Sequence, residues 1–451
     1  MNKKFGKIIG VVVLVLVLIG VSTGFYLKIE SNKRADQLEA SKKNILDTTL
    51  ANNPQLNQGK PSKKMVNGIL VYNYMPKNLA VPQKAIKITN NKKANSFFVV
   101  TATKNSQQGD AVNYKISAQL YQKEANSYKK SGNVKMSNQL MNSKTNKPLA
   151  LRGLLNKKGN LSDLSLQLQN EILKQHKNLD ITKVLRLTEA KKLAKFKFNY
   201  SNDSLQVTFP ANELNVSTVS LTGKELIHVM DPVFYSDKLK AQVVPESKNK
   251  KLVAITFDDG PDPANTPKIL KTLAKNKVNA TFFMVGYRVK ENPQIAKQVL
   301  AAGNEIGSHT YNHADLVTLK DDKVQSEVES TSAEIYKATG MLPQIVRPPY
   351  GAVNKAVAAK MNTPVIQWAI DSRDWETKNS ARTVATITQS TYPGTIILTH
   401  DSQPTTVVAL DSIIKNLKAK GYEFTTISKM FGDSLHANYQ YFGEDDERII
   451  K

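Results

Sequence analysis

The hydrophobic pattern begins with an uncharged run over residues 8–27 that is rich in Val, Leu and Ile. As a helix this run would be roughly 30 Å long, which is enough to cross a bilayer. Lysines precede it, so the predicted orientation leaves residues 1–7 inside the cell and the rest of the chain outside. A cleaved signal peptide is the alternative, but Val21 to Gly24 is a poor cleavage site. We therefore favour an uncleaved membrane anchor over residues 1–27.

Weaker patterns follow the apolar run. Residues 28–64 are polar and rich in Asn, Lys and Gln, which indicates a linker with a helical start over 35–46. Short strand-like runs separated by polar clusters predict a small β-rich or α+β module over 65–148. Residues 149–240 combine a helical pattern with a hairpin pattern and predict an α+β accessory domain. Its helix covers 161–173, and its hairpin strands cover 194–200 and 204–209.

From Leu252 onward, apolar runs of strand length alternate with helical patterns. The predicted strands are 252–257, 280–285, 304–308, 344–347, 364–370, 395–399 and 422–425. The helices predicted between them include 267–276, 294–302, 325–339 and 407–420. This alternation predicts a parallel sheet, and its length favours a short or distorted (β/α) barrel over 250–431. Residues 432–451 are interpreted as a C-terminal tail.

Composition limits the chemistry. The 451 residues include no cysteine, which excludes disulfides, thiolate zinc sites and cysteine nucleophiles. Any metal must therefore be held by His, Asp or Glu.

Almost all of the net positive charge lies in the first half of the chain. Residues 1–250 carry 40 Lys+Arg against 16 Asp+Glu, whereas residues 251–451 carry 23 against 22. The basic half predicts an anionic partner such as a wall polymer or lipid headgroups. Nucleic acid is not expected as a partner of an exported domain.

Reactive residues follow five of the predicted strands. In a parallel βα barrel the carboxyl ends of all strands meet at one face, where active sites are built. The segments concerned are Asp258-Asp259, Ser308 to His313, Arg347 to Gly351, Asp371 to Trp375 and Leu398 to Asp401.

Two of these segments suggest a metal centre. His309 and His313 are spaced i, i+4, so a helical turn would place both imidazoles on one side. One carboxylate would complete a two-His-one-carboxylate set. Adjacent Asp258 and Asp259 at the end of a buried strand need compensation by a metal, an arginine or solvent. A solvated Asp-Gly-Pro turn is the structural alternative.

Together these segments resemble the ordered motifs of the polysaccharide deacetylases, the NodB-type enzymes of carbohydrate esterase family four. The motifs are Thr256-Phe257-Asp258-Asp259-Gly260, His309-Thr310-Tyr311-Asn312-His313, Arg347-Pro348-Pro349-Tyr350-Gly351, Asp371-x-x-Asp374-Trp375 and Leu398-x-His400. The resemblance covers about residues 250–431. The order of anchor, accessory region and C-terminal domain is similar to that of the peptidoglycan N-acetylglucosamine deacetylases.

The resemblance implies a role for each residue. Asp259, His309 and His313 would hold a divalent metal, usually Zn²⁺, with Co²⁺ or another ion as alternatives, to polarise the acetamide and activate water. Asp258 would be the general base and His400 the general acid.

Other residues would support this chemistry. Arg347 would pair with Asp258, and Asp374 would orient His400 and raise its pKa. The Tyr350 backbone N–H would stabilise the oxyanion. Tyr350, Trp375 and Leu398 would contact the substrate, the last two around the acetyl methyl group. Asp371 and Asp401 are left as network members or turn caps.

The implied function is metal-dependent N-deacetylation of a cell-wall glycan, most directly N-acetylglucosamine of peptidoglycan. Alternatives are deacetylation of a chitin-like polymer, an exopolysaccharide or xylan, or non-catalytic binding of an anionic wall polymer. A glycosidase is disfavoured because it needs two carboxylates roughly 5–10 Å apart across the scissile bond. The expected location is the cell membrane, with one span and the catalytic domain facing the wall.

Overall fold

The computed structural model describes residues 3–56, 61–76, 79, 86, 95–136, 138–156, 158, 161–176, 178–243 and 250–451. The chain forms two compact units, Met1–Leu149 and Ala150–Lys451. The domain bounds drawn from the sequence stay a prediction.

The first unit begins with one long helix, α1 (Lys3–Ala51). Its apolar part is exposed and is long and apolar enough to cross a membrane. The polar stretch that the sequence analysis interprets as a linker is helical as far as Ala51, because it is rich in good helix formers and has an apolar side. On that side Ile45, Leu46 and Leu50 pack against an aromatic cluster that includes Phe97.

That cluster lies on one face of a six-stranded sheet in the same unit. Its strands are β1 (Ser62–Val66), β2 (Ile69–Tyr74), β3 (Ser96–Gln108), β4 (Ala111–Glu124), β5 (Ser127–Lys135) and β6 (Gln139–Asn142). The order is β1-β2-β3-β4-β5, with β6 also paired to β4. All pairs are antiparallel except β2 with β3. The β-rich character predicted for this stretch is therefore present.

The second unit opens with the predicted α+β pattern. Its helices are α2 (Leu151–Leu154), α3 (Leu161–Gln175), α4 (Ile181–Leu187), α5 (Ala190–Leu193), α6 (Gly223–Val229) and α7 (Asp237–Lys240). Its strands are β7 (Lys197–Ser201), β8 (Ser204–Thr208) and β9 (Thr218–Thr222). Asn202 and Asp203 both have positive φ, as a two-residue type I′ hairpin turn requires, so the predicted hairpin has the expected turn.

The rest of the second unit alternates strands and helices. The strands are β10 (Leu252–Asp258), β11 (Thr281–Met284), β12 (Glu305–Ser308), β13 (Val365–Ile366), β14 (Ile370–Asp371), β15 (Thr395–His400), β16 (Glu423–Phe424), β17 (Tyr439–Gly443) and β18 (Asp446–Ile449). The helices are α8 (Thr266–Lys275), α9 (Gly286–Glu291), α10 (Pro293–Ala301), α11 (Asp321–Thr339), α12 (Lys355–Met361), α13 (Asp374–Thr377), α14 (Ser380–Ser390), α15 (Pro404–Ala419) and α16 (Ile427–Phe431).

These strands form the predicted distorted barrel. The sheet runs β12-β11-β10-β15-β17-β13, with β14 also paired to β15 and β16 to β10. Single bridges from Val346 to Ser308 and to Val365 join its two edges. The predicted strand 344–347 is thus reduced to one bridging residue, because prolines at 343 and 348 flank it and cannot donate ladder hydrogen bonds.

Two further predictions differ from the structure. The predicted strand 364–370 is split into β13 and β14. Residues 432–451, interpreted as a tail, contain the antiparallel pair β17 and β18, and β17 lies between β13 and β15. Tyr441 of β17 is buried in the barrel's inner apolar cluster. The C-terminal segment is therefore part of the barrel wall.

The alternation of β10 sets the direction of the first reactive side chain. Val253, Ile255 and Phe257 pack in the cluster beneath the surrounding helices, whereas Ala254 belongs to the inner cluster. The period of two places Asp258 on the inner side with Ala254. The strand therefore delivers a carboxylate to the interior of the barrel at its carboxyl end.

Candidate active site

The two adjacent carboxylates separate at the end of β10. Asp258 is the last residue of the strand and is only 3% exposed. Asp259 has φ of 74°, a left-handed conformation that is uncommon for a residue with a side chain. The backbone therefore turns at Asp259, directly after the strand that carries Asp258.

Asp258 is paired with a fully buried arginine. Arg347 Nη1 donates to Asp258 Oδ1 at 2.7 Å and to Thr256 Oγ1 at 2.7 Å. The other guanidinium nitrogens donate to the carbonyls of Ile366 and Gln367. Burial lowers the pKa of Arg347, while the charge and hydrogen bond of Asp258 oppose that shift. Every nitrogen of this buried cation therefore has an acceptor.

Asp259 lies beside the two histidines. Its Oδ1 is 3.3 Å from His313 Nε2 and 3.6 Å from His309 Nε2. One ligand atom from each of the three residues lies within 4.8 Å of the others. Asp259 Oδ1 is also buried without a hydrogen-bond partner, as expected of an oxygen built to meet a cation. These three residues fit a divalent metal.

The buried histidine is set up for ligation. His309 Nδ1 lies 2.7 Å from the carbonyl oxygen of Arg347, a contact that favours a proton on Nδ1 and leaves Nε2 free to bind. Burial lowers the pKa of His309, which outweighs the opposing charges of Asp258 and Asp259. The neutral imidazole that metal binding requires is therefore favoured.

The segment that carries both histidines is not a helix. Residues 309–315 form a loop in which Thr310 and His313 have φ of 66° and 56°. The structure thus brings His309 and His313 together, but the helical turn assumed in the i, i+4 argument is absent from this loop.

A third histidine, His400, lies against a buried carboxylate. His400 Nδ1 lies 2.7 Å from Asp374 Oδ1, and the His400 backbone N–H donates to Asp374 Oδ2 at 2.8 Å. Trp375 N and Thr406 Oγ1 also donate to Asp374. Burial alone would lower the pKa of His400, but the hydrogen bond and charge of Asp374 raise it to about 9. His400 is therefore a protonated donor at neutral pH in the metal-free protein.

Strained backbone marks the same face of the barrel. Five non-glycine residues with positive φ lie in four of the segments singled out from the sequence, and they are Asp259, Thr310, His313, Tyr350 and Arg373. Such conformations cost about 1–3 kcal/mol each and cluster at functional sites. Of the nine non-glycine residues with positive φ between 250 and 451, five therefore lie in these segments.

The remaining candidates lie on that face in different settings. Tyr350 is 70% exposed and its ring contacts His313 edge-on, with centroids 5.0 Å apart. Trp375 is 49% exposed, whereas Leu398 is buried. Asp371 Oδ1 accepts from the Arg373 backbone N–H, which is the turn-capping alternative.

Asp401, which follows β15, is fully buried. Its Oδ2 accepts from Thr266 Oγ1 at 2.5 Å, and its Oδ1 has no hydrogen-bond partner. Burial raises the pKa of Asp401 to about 7, although the Thr266 hydrogen bond acts against it. Its carboxylate also fills the space that a Cβ at Gly260 would need, so only glycine fits beside it.

The structure adds supporting residues that the sequence analysis missed. Thr256 Oγ1 accepts from Arg347, and Thr406 Oγ1 donates to Asp374. Glu327 of α11 accepts from the backbone of the histidine loop. A threonine or glutamate inside an ordinary strand or helix pattern carries no signal of such a contact.

A barrel with two histidines and a carboxylate at the carboxyl ends of its strands, facing a His–Asp pair, defines a metal-dependent hydrolase. Residues 246–365 match the polysaccharide deacetylase family, and residues 57–243 match the peptidoglycan GlcNAc deacetylase N-terminal domain. The chain belongs to the polysaccharide deacetylase family.

The chain is also similar to individual proteins over most or part of its length. The chain is 31% identical over 412 residues to the peptidoglycan-N-acetylglucosamine deacetylase PgdA of Listeria monocytogenes, covering 86% of this chain and 88% of the relative. It is 38% identical over 182 residues to the peptidoglycan-N-acetylmuramic acid deacetylase PdaC of Bacillus subtilis, covering 40% and 39%. The solved structure of PdaC aligns with a TM-score of 0.40 at 38% identity, covering 41% of this chain and 91% of that one.

The His400–Asp374 pair predicts a specific titration. In the metal-free full-length protein, Asp374→Asn should lower the pKa of His400 from about 9 towards the ordinary histidine value, because the carboxylate that favours the imidazolium is gone. The proton would then be lost at lower pH. NMR titration of labelled histidines measures this, with exposed Asp322→Asn as the control. An unchanged His400 titration in Asp374→Asn would contradict the assignment.

Proposed function

We propose that the chain hydrolyses the N-acetyl group of N-acetylglucosamine in peptidoglycan, giving glucosamine and acetate. The observation that carries the proposal is the separation of the two adjacent acids. Asp258 accepts from Arg347 at 2.7 Å, and its other oxygen lies 3.8 Å from His309 Nε2. Asp259 lies slightly nearer to His309, at 3.6 Å, and also lies 3.3 Å from His313 Nε2. One carboxylate is thus placed for proton transfer and the other for ligation.

The proposed proton path uses the chain's own groups. Asp258 accepts a proton from the attacking water as the water oxygen bonds to the acetamide carbon. His400, held by Asp374, then donates its proton to the amide nitrogen as the C–N bond breaks. Acetate and the free amine leave, and the net reaction adds one water across the amide bond.

The metal would be held by Asp259, His309 and His313, and we favour Zn²⁺ because histidine and carboxylate ligands suit it, with Co²⁺ as an alternative. A metal there supplies a Lewis acid and lowers the pKa of water. The Tyr350 backbone N–H is the proposed donor to the oxyanion.

We place the substrate around three side chains. Tyr350 and Trp375 present exposed aromatic surface, which suits contact with a sugar ring and its acetyl group. Leu398 is buried on β15, and strand alternation places it on the inner side with Ile396. PgdA of Listeria monocytogenes, which is similar over 86% of this chain, is a peptidoglycan N-acetylglucosamine deacetylase. This similarity favours peptidoglycan over chitin-like polymers, exopolysaccharides or xylan.

We propose that α1 is an uncleaved anchor with its lysine-rich start inside the cell, so that the catalytic barrel faces the wall. The motivating features are the exposed apolar run and the preceding lysines. N-terminal sequencing of the cell-associated protein decides between anchor and signal sequence, because only the anchor retains residues 1–27.

Asp258→Asn should lower deacetylation about 10²–10⁴-fold, because the general base is lost. Mass spectrometry of muropeptides from cells that carry each variant measures the deacetylated fraction. Asp322→Asn, an exposed acid on α11, is the matched control. Normal deacetylation by Asp258→Asn would refute the proposed base, and no acetate release by the wild-type full chain with metal would refute the proposed function.

A second binding function is supported by the charge of the first unit. Residues 61–149 contain 15 lysines, no arginine and two acids. Both acids are already paired, Glu124 with Lys129 and Asp110 with Lys144. Exposed lysines such as Lys63 and Lys64 on β1 therefore remain available to an anionic wall polymer.

Binding of the full chain to a polyphosphate-backbone wall polymer should weaken as salt rises, because exposed charges are screened. The double substitution Lys63→Glu, Lys64→Glu should weaken it further at low salt. Lys268→Glu, Lys271→Glu on α8 applies the same charge change to the second unit and is the control. Sedimentation with the polymer measures binding, and salt-independent binding would contradict the electrostatic role.

A further inference from the structure

The histidine loop, residues 309–315, lacks the helical backbone hydrogen bonds that would hold two ligands at i, i+4 spacing. Residues 309–315 are not helical, and two of them are left-handed. One side of the loop is tied down by α9, since Gly286 N and Tyr287 N donate to the carbonyls of Thr310 and Tyr311. The peptide N–H groups on the other side need an acceptor.

Glu327 of α11 supplies that acceptor. Its Oε2 accepts from the backbone N–H groups of Tyr311 and Asn312, both at 2.8 Å. Its Oε1 accepts from Asn312 Nδ2 at 2.7 Å. One half-buried carboxylate thus bonds two successive peptides and one side chain between the two histidines.

We propose that Glu327 is a positioning residue that clamps the His309–His313 loop in the conformation that binds the metal. The proposal rests on the proposed function, since it concerns the same metal site. Glu327 bonds the loop rather than the substrate, so it acts only through the two ligands.

The physical reason is the strain in the loop. Left-handed Thr310 and His313 persist only if the surroundings determine them, and three hydrogen bonds from the side chain of one residue on a 19-residue helix provide this. Without them the ligands must be ordered when the metal binds, which lowers affinity. Loss of an outer partner of metal ligands typically costs about 10–100-fold in affinity.

Three substitutions separate reach from charge. Glu327→Ala removes both. Glu327→Asp keeps the charge but is one methylene too short. Glu327→Gln keeps the reach, because its oxygen can accept both peptide N–H groups and its amide can donate to Asn312 once that side chain flips.

Zn²⁺ affinity of the metal-free full-length variants, measured by competition with a chromogenic chelator, tests the proposal. We expect the Ala and Asp variants to bind about 10–100-fold more weakly and Gln to stay close to the wild type. Glu334→Ala on the same helix, where the carboxylate pairs only with Lys337 among the described contacts, is the control and should bind as the wild type.

Equal losses in Glu327→Gln and Glu327→Ala, or wild-type affinity in Glu327→Ala, would overturn the clamp. Thermal unfolding of the metal-free variants shows whether each is folded, and if the Ala variant is not, the Asp and Gln pair decides. The readout is independent of deacetylation. If the wild type binds metal with this pattern but releases no acetate from peptidoglycan, the proposed function fails and the clamp stands.

Discussion

The ion pair between Arg347 and Asp258 is the interaction on which the rest of the site depends. Both side chains are buried, and an unpaired charge at that depth would cost several kcal/mol. The guanidinium is satisfied by Thr256 of β10 and by the carbonyls of Ile366 and Gln367 at the end of β13, so two separate strands set its position. Removing either partner should cost about 3–5 kcal/mol, because the other is left alone in the core.

The ion pair lies next to the irregular closure of the barrel. Arg347 follows the single-residue bridge at Val346, where the two edges of the sheet meet. Ile345 lies in the inner apolar cluster and Val346 in a separate cluster with α11 and α12, so strand alternation places the Arg347 side chain inside the barrel. The carbonyl of Arg347 also lies 2.7 Å from His309 Nδ1, so one residue contacts both the proposed general base and a proposed metal ligand. The C-terminal strand β17 lies between β15 and β13, and β13 forms one of the two bridges at Val346. The last residues of the chain are therefore part of the barrel.

The sequence predicted the parts of the site that are encoded locally. Asp258, Asp259 and His400 are found at strand ends because an apolar run followed by polar residues is visible in one dimension. The barrel, the accessory hairpin and the long apolar helix followed from periodicity. Glu327 and Thr406 could not be predicted, because their roles depend on contacts with loops far along the chain and nothing in their own helices distinguishes them. The helical spacing assumed for His309 and His313 was wrong because Glu327 and α9, which lie elsewhere in the sequence, hold a loop instead. The β17–β18 pair was missed because its strands are only five and four residues long, and the place of β17 between β13 and β15 is seen only in three dimensions.

The central claim is the division of labour between adjacent acids, and metal affinity measured alongside turnover tests it most directly. Calorimetric titration of the metal-free full-length protein with Zn²⁺ should give Asp258→Asn nearly the wild-type affinity, because the amide oxygen can still accept from Arg347 Nη1 and keep the arginine in place. This variant should nevertheless release almost no acetate. Asp259→Ala should lose most of the affinity, because an oxygen ligand is gone. If Asp258→Asn lost metal as Asp259→Ala does, or if Asp259→Ala bound metal like the wild type, the assignment of the two carboxylates would be contradicted.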